Sequence, residues 1–252
     1  MFYSGKNTVI VGGTHGVGLA TASLLISQGA KVILTGRSEA PIESAKAQLS
    51  EKAHVLKCDI TSLANIEKLV DEVKLLLDGD KIDFLFLNAG YAALEPFETA
   101  TEASFTRTLS TNLFGAFFAA QKFTPFIRAG GAIVFTSSVS AKFGFPGMAV
   151  YSASKAAVSS LVQTLAAELA PRQIRVSAVA PGFVKTPTMG ISGVSAEELL
   201  GFEEEGAKIT PVGRIASAEE VAKVAVFLAF EATFTTGSEV LVDGGLVNAQ
   251  KQ

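Results

Sequence analysis

The sequence predicts one α/β domain: a doubly wound parallel sheet with helices packed on both of its faces. Three observations support this prediction. Short apolar runs alternate with helix-length amphipathic segments, a glycine cluster follows the first run, and no linker rich in Pro, Gly or Ser divides the chain. Alternating strands and helices form right-handed crossover units on a parallel sheet. The chain has 252 residues, of which 48% are hydrophobic, and is long enough to bury a sizeable core.

Short apolar or β-branched runs mark the predicted strands. Most of these runs are apolar throughout, which is typical of strands that helices cover on both sides. The predicted strands are Thr8–Val11, Lys31–Thr35, His54–Cys58, Phe84–Leu87, Ala132–Thr136, Arg175–Val179 and Glu239–Val242.

Helices are predicted between the strands, where apolar residues recur at three- and four-residue spacing. They are Gly18–Gln28, Ile42–Leu49, Ile66–Leu77, Ala149–Leu169 and Ala218–Ala229. The segment Thr186–Pro211 breaks the alternation and holds one short predicted helix, Ser195–Glu205. Because long insertions of this kind usually serve function, residues 187–210 are predicted to form a substrate lid. A plain surface excursion is the alternative.

The bulk composition excludes several classes of function. A formal net charge of -3 offers no basic surface for nucleic acid. The single cysteine, Cys58, cannot form an intrachain disulfide and favours a reduced, cytoplasmic setting. With two histidines and one cysteine far apart, no metal site is expected. We expect no signal peptide at Met1–Lys6 and no membrane span, because no apolar run is long enough.

The glycine cluster after the first strand is typical of a nucleotide-binding turn. Gly12, Gly16 and Gly18 directly precede the first predicted helix. Glycines let the backbone approach a pyrophosphate, and the helix N-terminus presents N–H groups to it. The spacing differs from the usual G-x-G-x-x-G fingerprint, so a structural glycine turn is the alternative.

The end of the second strand bears on the choice between NAD and NADP. Gly36 stands where NAD sites carry an acid for the ribose hydroxyl, and Arg37 follows it. A guanidinium binds a 2′-phosphate through charge-assisted, bidentate hydrogen bonds, so NADP(H) is favoured. His15 in the glycine loop is a second candidate donor. The alternative is that Arg37 is a solvated turn charge.

Tyr151 and Lys155 form a candidate acid/base pair. Residues four apart share one face of a helix, so the phenol and the ammonium lie side by side. A nearby cation lowers the pKa of a tyrosine from its ordinary value of ~10, which suits general acid or base chemistry nearer neutral pH. Ser138 follows the fifth strand, at the sheet edge where ligands bind. No G-x-S-x-G motif surrounds it, so hydrolysis is not favoured.

Together these motifs resemble the short-chain dehydrogenase/reductase family, in its compact single-domain branch. The resemblance covers the chain from about Lys6 to Gly245. It implies a seven-stranded Rossmann sheet in the order 3-2-1-4-5-6-7, and a homotetramer with helices near Thr101–Ile127 and Ala149–Leu169 at one interface. The matching motifs are Gly12-x-x-x-Gly16-x-Gly18, Asp59, Asn88-Ala89-Gly90, Asn112, Ser138, Tyr151-x-x-x-Lys155, Pro181-Gly182 with Thr186, and Val242-Asp243-Gly244-Gly245.

The resemblance implies four catalytic residues. Tyr151 would donate a proton to the carbonyl oxygen as a hydride arrives from the nicotinamide, and Ser138 would orient that oxygen. Lys155 would bind the nicotinamide ribose and lower the pKa of Tyr151. Asn112 would hold a water of a proton relay; alternatively it satisfies a buried backbone group.

The resemblance also implies the residues that bind the cofactor. Asp59 would contact the adenine, Asn88 would lie beside the adenosine, and Val184 and Thr186 would meet the carboxamide. Val11 stands where the family often has Thr, so a hydroxyl tie to the Asn88 loop is expected to be missing. The remaining residues predicted to bind the cofactor, besides Tyr151 and Lys155, are Gly12, Thr14, His15, Gly16, Val17, Gly18, Arg37, Ile60, Ala89, Gly90, Pro181 and Gly182.

The sequence thus predicts an NADP(H)-dependent oxidoreductase that interconverts a small carbonyl compound and its alcohol. Phe145, Met148, Phe183 and Phe202 line a substrate pocket or fill the core. A 3-oxoacyl-[acyl-carrier-protein] reductase is the alternative enzyme; it would need a basic docking face, for which Arg128 and Arg172 are candidates. The acidic run Glu203–Glu205 disfavours an acidic partner. A regulatory protein that binds NADP(H) without turnover is the alternative of another class.

Overall fold

The computed structural model describes residues 1–191, 193 and 195–249. Strands and helices alternate along most of it, as the sequence predicts. In chain order they are β1 (Asn7–Val11), α1 (Gly16–Ser27), β2 (Lys31–Gly36), α2 (Glu39–Leu49), β3 (Ala53–Lys57), α3 (Leu63–Leu77), β4 (Ile82–Leu87), α4 (Glu102–Leu109), α5 (Ala116–Phe123), β5 (Ile127–Thr136), α6 (Ala149–Leu169), β6 (Arg175–Pro181), β7 (Val184–Lys185), α7 (Ala196–Ile209), β8 (Ala216–Ser217), α8 (Ala218–Phe230) and β9 (Glu239–Val242).

Seven of these strands form one parallel sheet. Their order, β3-β2-β1-β4-β5-β6-β9, confirms the predicted order and the doubly wound Rossmann architecture of a single domain. The order reverses between β1 and β4. In open α/β sheets ligands bind at such a switch point, beyond the carboxyl ends of the strands.

The core lies in two layers, one on each face of the sheet. Helices α3, α5 and α6 pack on one face, where Phe123 and Phe135 are fully buried. Helices α1, α2 and α8 pack on the other face, over Phe84 and Phe86. Because both faces are covered, the central strands are apolar throughout their length.

The structure departs from the predicted elements in three places. Strand β5 begins at Ile127 rather than Ala132, and its register against β4 shifts between Ile82 and Phe84. Strands β7 and β8 form a small two-stranded sheet that the sequence does not predict. Residues Ser110–Gly115, between α4 and α5, form a turn of π-helix.

The predicted lid is partly described. Ser192 and Val194 lie outside the described residues, as do residues 250–252 of the predicted domain. The predicted helix of this segment is present as α7, which begins after a capping box between Ser195 and Glu198. Its Gly206 packs directly on the Phe183 ring, since a Cβ there would lie 2.6 Å from a ring carbon. In the described part of the chain no helix is long and apolar enough to span a membrane.

Candidate functional site

The carboxyl ends of β1, β2, β4, β5 and β6 surround a cleft of about 360 Å³. Of the predicted site residues, only Gly18 and Asn112 are absent from its lining, and both are buried beneath it. The predicted residues that line the cleft are Gly12, Thr14, His15, Gly16, Val17, Arg37, Asp59, Ile60, Asn88, Ala89, Gly90, Ser138, Tyr151, Lys155, Pro181, Gly182, Val184 and Thr186.

Close backbone contacts explain two of the glycines. A Cβ on Gly12 would lie 2.6 Å from the backbone of Ala89, and Gly12 itself has a φ of 85°. A Cβ on Gly18 would lie 2.2 Å from the Gly12 carbonyl oxygen. The backbones of the loops after β1 and β4 are therefore in direct contact. Because these glycines carry no side chain, the N-terminus of α1 is open to the cleft.

Because residue 11 is Val, it offers no hydroxyl to bind the Asn88 loop. Backbone hydrogen bonds join the two segments instead. The N–H groups of Asn88 and Ala89 both donate to the Val11 carbonyl oxygen, at 2.9 and 2.8 Å. The Asn88 side-chain amide donates to the Gly12 carbonyl oxygen at 2.7 Å and accepts from the Thr136 hydroxyl at 3.0 Å. The loop after β4 is thus fixed to both neighbouring strands.

One rim of the cleft carries the positive charge of Arg37. Arg37 and His15 are exposed at the ends of β2 and β1, and both line the cleft. Partial burial lowers the pKa of His15, so its imidazole is a neutral hydrogen-bonding group. The nearby carboxylate of Glu39 forms an ion pair with Lys57, which offsets the negative charge beside Arg37. On the adjacent rim, the Asp59 carboxylate accepts hydrogen bonds from the backbone N–H and the hydroxyl of Thr61, at 3.0 and 2.8 Å.

The structure brings Ser138, Tyr151 and Lys155 together in this cleft, from β5 and α6. Lys155 is 3% exposed, and its ammonium donates to the Thr136 carbonyl oxygen at 2.8 Å. Its Nζ lies 5.7 Å from the centroid of the Tyr151 ring. The Ser138 hydroxyl accepts from the Ser140 N–H at 3.1 Å, which sets its rotamer at the strand tip.

The pKa of Tyr151 differs from the sequence-based expectation. Lys155 was expected to lower it, but burial of the phenol raises the pKa of Tyr151, and a hydrogen bond with Ser138 opposes that rise. The physical reason is desolvation of the phenol; the Lys155 ammonium donates to the Thr136 carbonyl oxygen. Burial also lowers the pKa of Lys155 to about 8. A lysine with that pKa is mostly charged at neutral pH.

Asn112 lies in the π-helical turn and is 1% exposed. Its side-chain oxygen accepts from the Tyr91 N–H at 2.8 Å, and its amide nitrogen donates to the Tyr91 carbonyl oxygen and the Ser154 hydroxyl, both at 2.9 Å. It therefore satisfies a buried backbone group, the second of the two roles considered for it. Its oxygen and the Lys155 Nζ both lie within 4 Å of where a Cβ on Gly90 would stand.

The cleft includes residues that the motifs do not indicate. Tyr91 lines it, and the Arg107 guanidinium stacks over the Tyr91 ring at 4.2 Å from its centroid. Thr136 supplies the carbonyl oxygen that holds Lys155. The only available signal was position, since Tyr91 directly follows Asn88-Ala89-Gly90 and Thr136 ends a predicted strand.

Aromatic residues form a wall beside the cleft. The Phe145 ring packs edge-on against the Phe183 ring, with ring centroids 5.9 Å apart. The centroids of the Phe143 and Phe145 rings are 4.9 Å apart. Met148 and Phe202 are half-buried. None of the four residues Phe145, Met148, Phe183 and Phe202 belongs to the buried core.

The motifs, the fold and the cleft can be compared with known proteins. A family model described as Enoyl-(Acyl carrier protein) reductase matches residues 11–247. An oxidoreductase from Sarocladium schorii is 35% identical over 250 residues, covering 96% of each chain. A 3-oxoacyl-[acyl-carrier-protein] reductase from Aquifex aeolicus is 36% identical over 249 residues, covering 96% of this chain and 97% of that protein.

A solved structure agrees with these relatives. A mutant short-chain dehydrogenase/reductase from Serratia marcescens has a TM-score of 0.87 to this protein at 29% identity, covering 98% of this chain and 100% of the other. The likeness extends over the whole sheet and the helices on both of its faces. The chain therefore belongs to the short-chain dehydrogenase/reductase family of oxidoreductases.

Proposed function

We propose that the protein is an NADP(H)-dependent oxidoreductase that interconverts a ketone or aldehyde and its alcohol by hydride transfer. One observation carries the proposal. Ser138, Tyr151 and Lys155 converge in the same cleft as the glycine turn and Arg37. Membership of an oxidoreductase family with nicotinamide cofactors supports the reaction class.

The residues of the cleft fit a dinucleotide. The backbone of the Gly12–Gly18 turn, where a Cβ would collide with its neighbours, would hold the pyrophosphate at the N-terminus of α1. The first turn of α1 contains no acid that would repel it. Arg37, with His15, would hold the 2′-phosphate, and Asp59 and Ile60 the adenine. Val184 and Thr186 would meet the carboxamide. The bound nicotinamide supplies or accepts the hydride.

Tyr151 is the proposed acid/base. Because burial raises the pKa of its phenol, Tyr151 holds its proton at neutral pH and can donate it to a carbonyl oxygen. The Ser138 hydroxyl would donate a hydrogen bond to the same oxygen. In the reverse direction, the oxidation of an alcohol, the Tyr151 phenolate would take the proton back.

Lys155 and Asn112 would support this proton transfer. The charged ammonium would bind the ribose hydroxyls and stabilise the phenolate that forms when Tyr151 gives up its proton. In this proposal Asn112 acts chiefly through its hydrogen bonds to the Tyr91 backbone. Its side-chain oxygen and the Lys155 Nζ also lie close to the same point next to the Gly90 Cα. A water there would return a proton towards Tyr151.

The substrate is proposed to be a small molecule that is largely apolar. The substrate side of the cleft is bordered by Tyr91, Val184 and Met189, and the aromatic wall of Phe145 and Phe183 packs nearby. The charge of Lys185, next to Val184, is paired with Glu203. An apolar carbonyl compound matches such a surface better than an anionic one.

A 3-oxoacyl-[acyl-carrier-protein] reductase is the second candidate, favoured by the relative with that name from Aquifex aeolicus. The two arginines considered for docking an acidic carrier are engaged elsewhere. Arg128 pairs with the buried Asp83, and Arg172 donates to the Thr124 carbonyl oxygen. Both lie towards the amino ends of the strands, at the edge of the sheet away from the cleft. This placement argues against the carrier-dependent reaction.

A homotetramer in a reducing, cytoplasmic setting completes the proposal. Phe105, Phe114 and Phe117 of the α4–α5 region are 49%, 36% and 38% exposed, an apolar surface of the kind that subunit interfaces cover. Light scattering of the purified protein is expected to give about four times the chain mass of 26.2 kDa. A monomer at micromolar concentration would contradict this part of the proposal.

Oxidation of NADPH by the purified protein, followed at neutral pH, tests the proposed function. The panel would contain apolar ketones, aldehydes, diketones and 3-oxoesters, with NADH in parallel. We expect turnover of at least one neutral carbonyl compound, and a preference for NADPH. Tight NADPH binding without any turnover would contradict the enzyme and favour a regulatory protein instead.

A further inference from the structure

Three side chains form a hydrogen-bonded row that begins at Ser137 in the lining of the cleft and leads away from it. Ser137 follows β5, Ser159 lies on α6, and Glu239 begins β9. The Ser137 and Ser159 hydroxyl oxygens are 3.0 Å apart, and the Ser159 oxygen is 3.1 Å from a carboxylate oxygen of Glu239. The row therefore joins two strands and a helix through side chains alone.

The single hydroxyl hydrogen of Ser159 determines the direction of this row. Its oxygen also lies 3.1 Å from the Lys155 carbonyl oxygen, so two acceptors compete for one hydrogen. A carboxylate is the stronger acceptor, because a charged partner makes a hydrogen bond roughly twice as strong. Ser159 then donates to Glu239, and its lone pairs accept from Ser137. Without the carboxylate, Ser159 would turn to the Lys155 carbonyl oxygen within its own helix.

The row is largely shielded from water. Ser137 is 1% exposed and the Glu239 side chain 10% exposed. The remaining carboxylate oxygen of Glu239 pairs with the half-exposed Lys142 ammonium at 3.2 Å. A carboxylate that is almost buried costs free energy unless it is paired and hydrogen-bonded, so both contacts stabilise its position.

Two members of the row lie close in sequence to the proposed catalytic residues. Ser137 directly precedes Ser138, and its N–H donates to the Val179 carbonyl oxygen at 2.8 Å. Ser159 is one helical turn beyond Lys155, whose ammonium is bound to Thr136 of the same strand end. Two side-chain hydrogen bonds therefore restrain the distance between the end of β5 and the first turns of α6. One joins Lys155 to Thr136, and the other joins Ser159 to Ser137.

We propose that Glu239 is a positioning residue, which acts through Ser159 to hold Ser138 and Lys155 at the separation that the reaction needs. The proposal rests on the proposed function for its catalytic consequence. Small displacements of catalytic groups are costly, since a misplacement of about 1 Å can reduce a rate about 10²-fold. The tie at Glu239 restrains such displacements from outside the cleft.

Glu239→Leu removes the acceptor, and Glu239→Gln keeps an acceptor oxygen while it removes the charge. With the fastest carbonyl substrate of the panel, we expect Glu239→Leu and Ser159→Ala to lower kcat about tenfold, with KM for the substrate and for NADPH nearly unchanged. Glu239→Gln should recover most of that loss, to within about threefold of the wild-type kcat. Ser160→Ala, on the next residue of α6, is the matched control.

Amide hydrogen exchange gives a second readout that does not depend on turnover. In Glu239→Leu and Ser159→Ala, amides of the segment 137–142 should exchange about tenfold faster, while those of β1 keep their rates. The same segment should be unchanged in Ser160→Ala. If the wild type does not turn over, the proposed function fails and exchange alone decides this inference. Equal kcat and equal exchange in wild type and Glu239→Leu would overturn it, and so would a Gln variant as impaired as the Leu variant.

Discussion

Replacing Tyr151 with Phe is expected to lower kcat for carbonyl reduction by about 10³-fold, because a positioned general acid contributes on the order of 10² to 10⁴ in rate. The substitution removes one oxygen from a buried ring and leaves its packing in α6 intact. Affinity for NADPH should stay within about twofold, since Lys155 keeps its bond to Thr136. Single-turnover kinetics and a fluorescence titration with NADPH measure the two quantities separately.

Tyr3→Phe is the matched control. The Tyr3 hydroxyl donates to Glu231, far from the cleft, and its ring stacks on Phe230 at 4.6 Å. That variant should keep the wild-type kcat. If Tyr151→Phe retained more than about a tenth of wild-type kcat, the phenol could not be the acid, because such a loss is below what general acid catalysis supplies.

Arg37→Asp is expected to weaken NADPH binding about 10²-fold and NADH binding by less than about threefold. The change removes a charge-assisted partner of the 2′-phosphate and places a like charge beside it. NADH lacks the phosphate, so the substitution leaves its proposed contacts with the glycine turn unchanged. Dissociation constants for both nucleotides, measured at low and at high salt, test the prediction, and the NADPH effect should shrink with added salt.

Arg172→Asp provides the charge-matched control for Arg37→Asp. Arg172 is exposed at the far end of α6 and donates to the Thr124 carbonyl oxygen, outside the cleft. The net-charge change is identical in the two variants, so a general effect of charge on nucleotide binding would appear in both. An equal loss of affinity for NADPH and NADH in Arg37→Asp would refute the assignment of the 2′-phosphate to this side chain.

Much of the fold was predictable, because strands and helices each impose a characteristic spacing of apolar residues on the sequence. The strand order and the position of the glycine turn follow from the alternation and from the family resemblance, and the structure bears out the order. The periodicity of apolar residues does not predict irregular backbone segments. The early start of β5 at Ile127 and the π-turn around Asn112 arise from packing against neighbouring elements, which no short-range period records.

The sequence predicted which residues lie in the site better than it predicted the pKa of Tyr151. Spacing placed Tyr151 beside Lys155, and it suggested a lowered pKa for the phenol. The direction of the shift was wrong because burial of the phenol, a tertiary feature, raises the pKa of Tyr151. Ser159 and Glu239 are 80 positions apart, and no motif connects residues that meet only through the sheet.

The contrast between exposed Arg37 and buried Lys155 bears on how this protein can evolve. Arg37 lies at the rim of the cleft, where substitutions typically change the free energy of unfolding by less than about 0.5 kcal/mol. Lys155 is enclosed and hydrogen-bonded, and Gly12 and Gly18 tolerate no side chain. Under the proposed function, single mutations at Arg37 would therefore change coenzyme preference at almost no cost in stability, whereas changes at Lys155 would also disturb the fold. Related chains are expected to diverge in nucleotide choice long before they diverge in reaction.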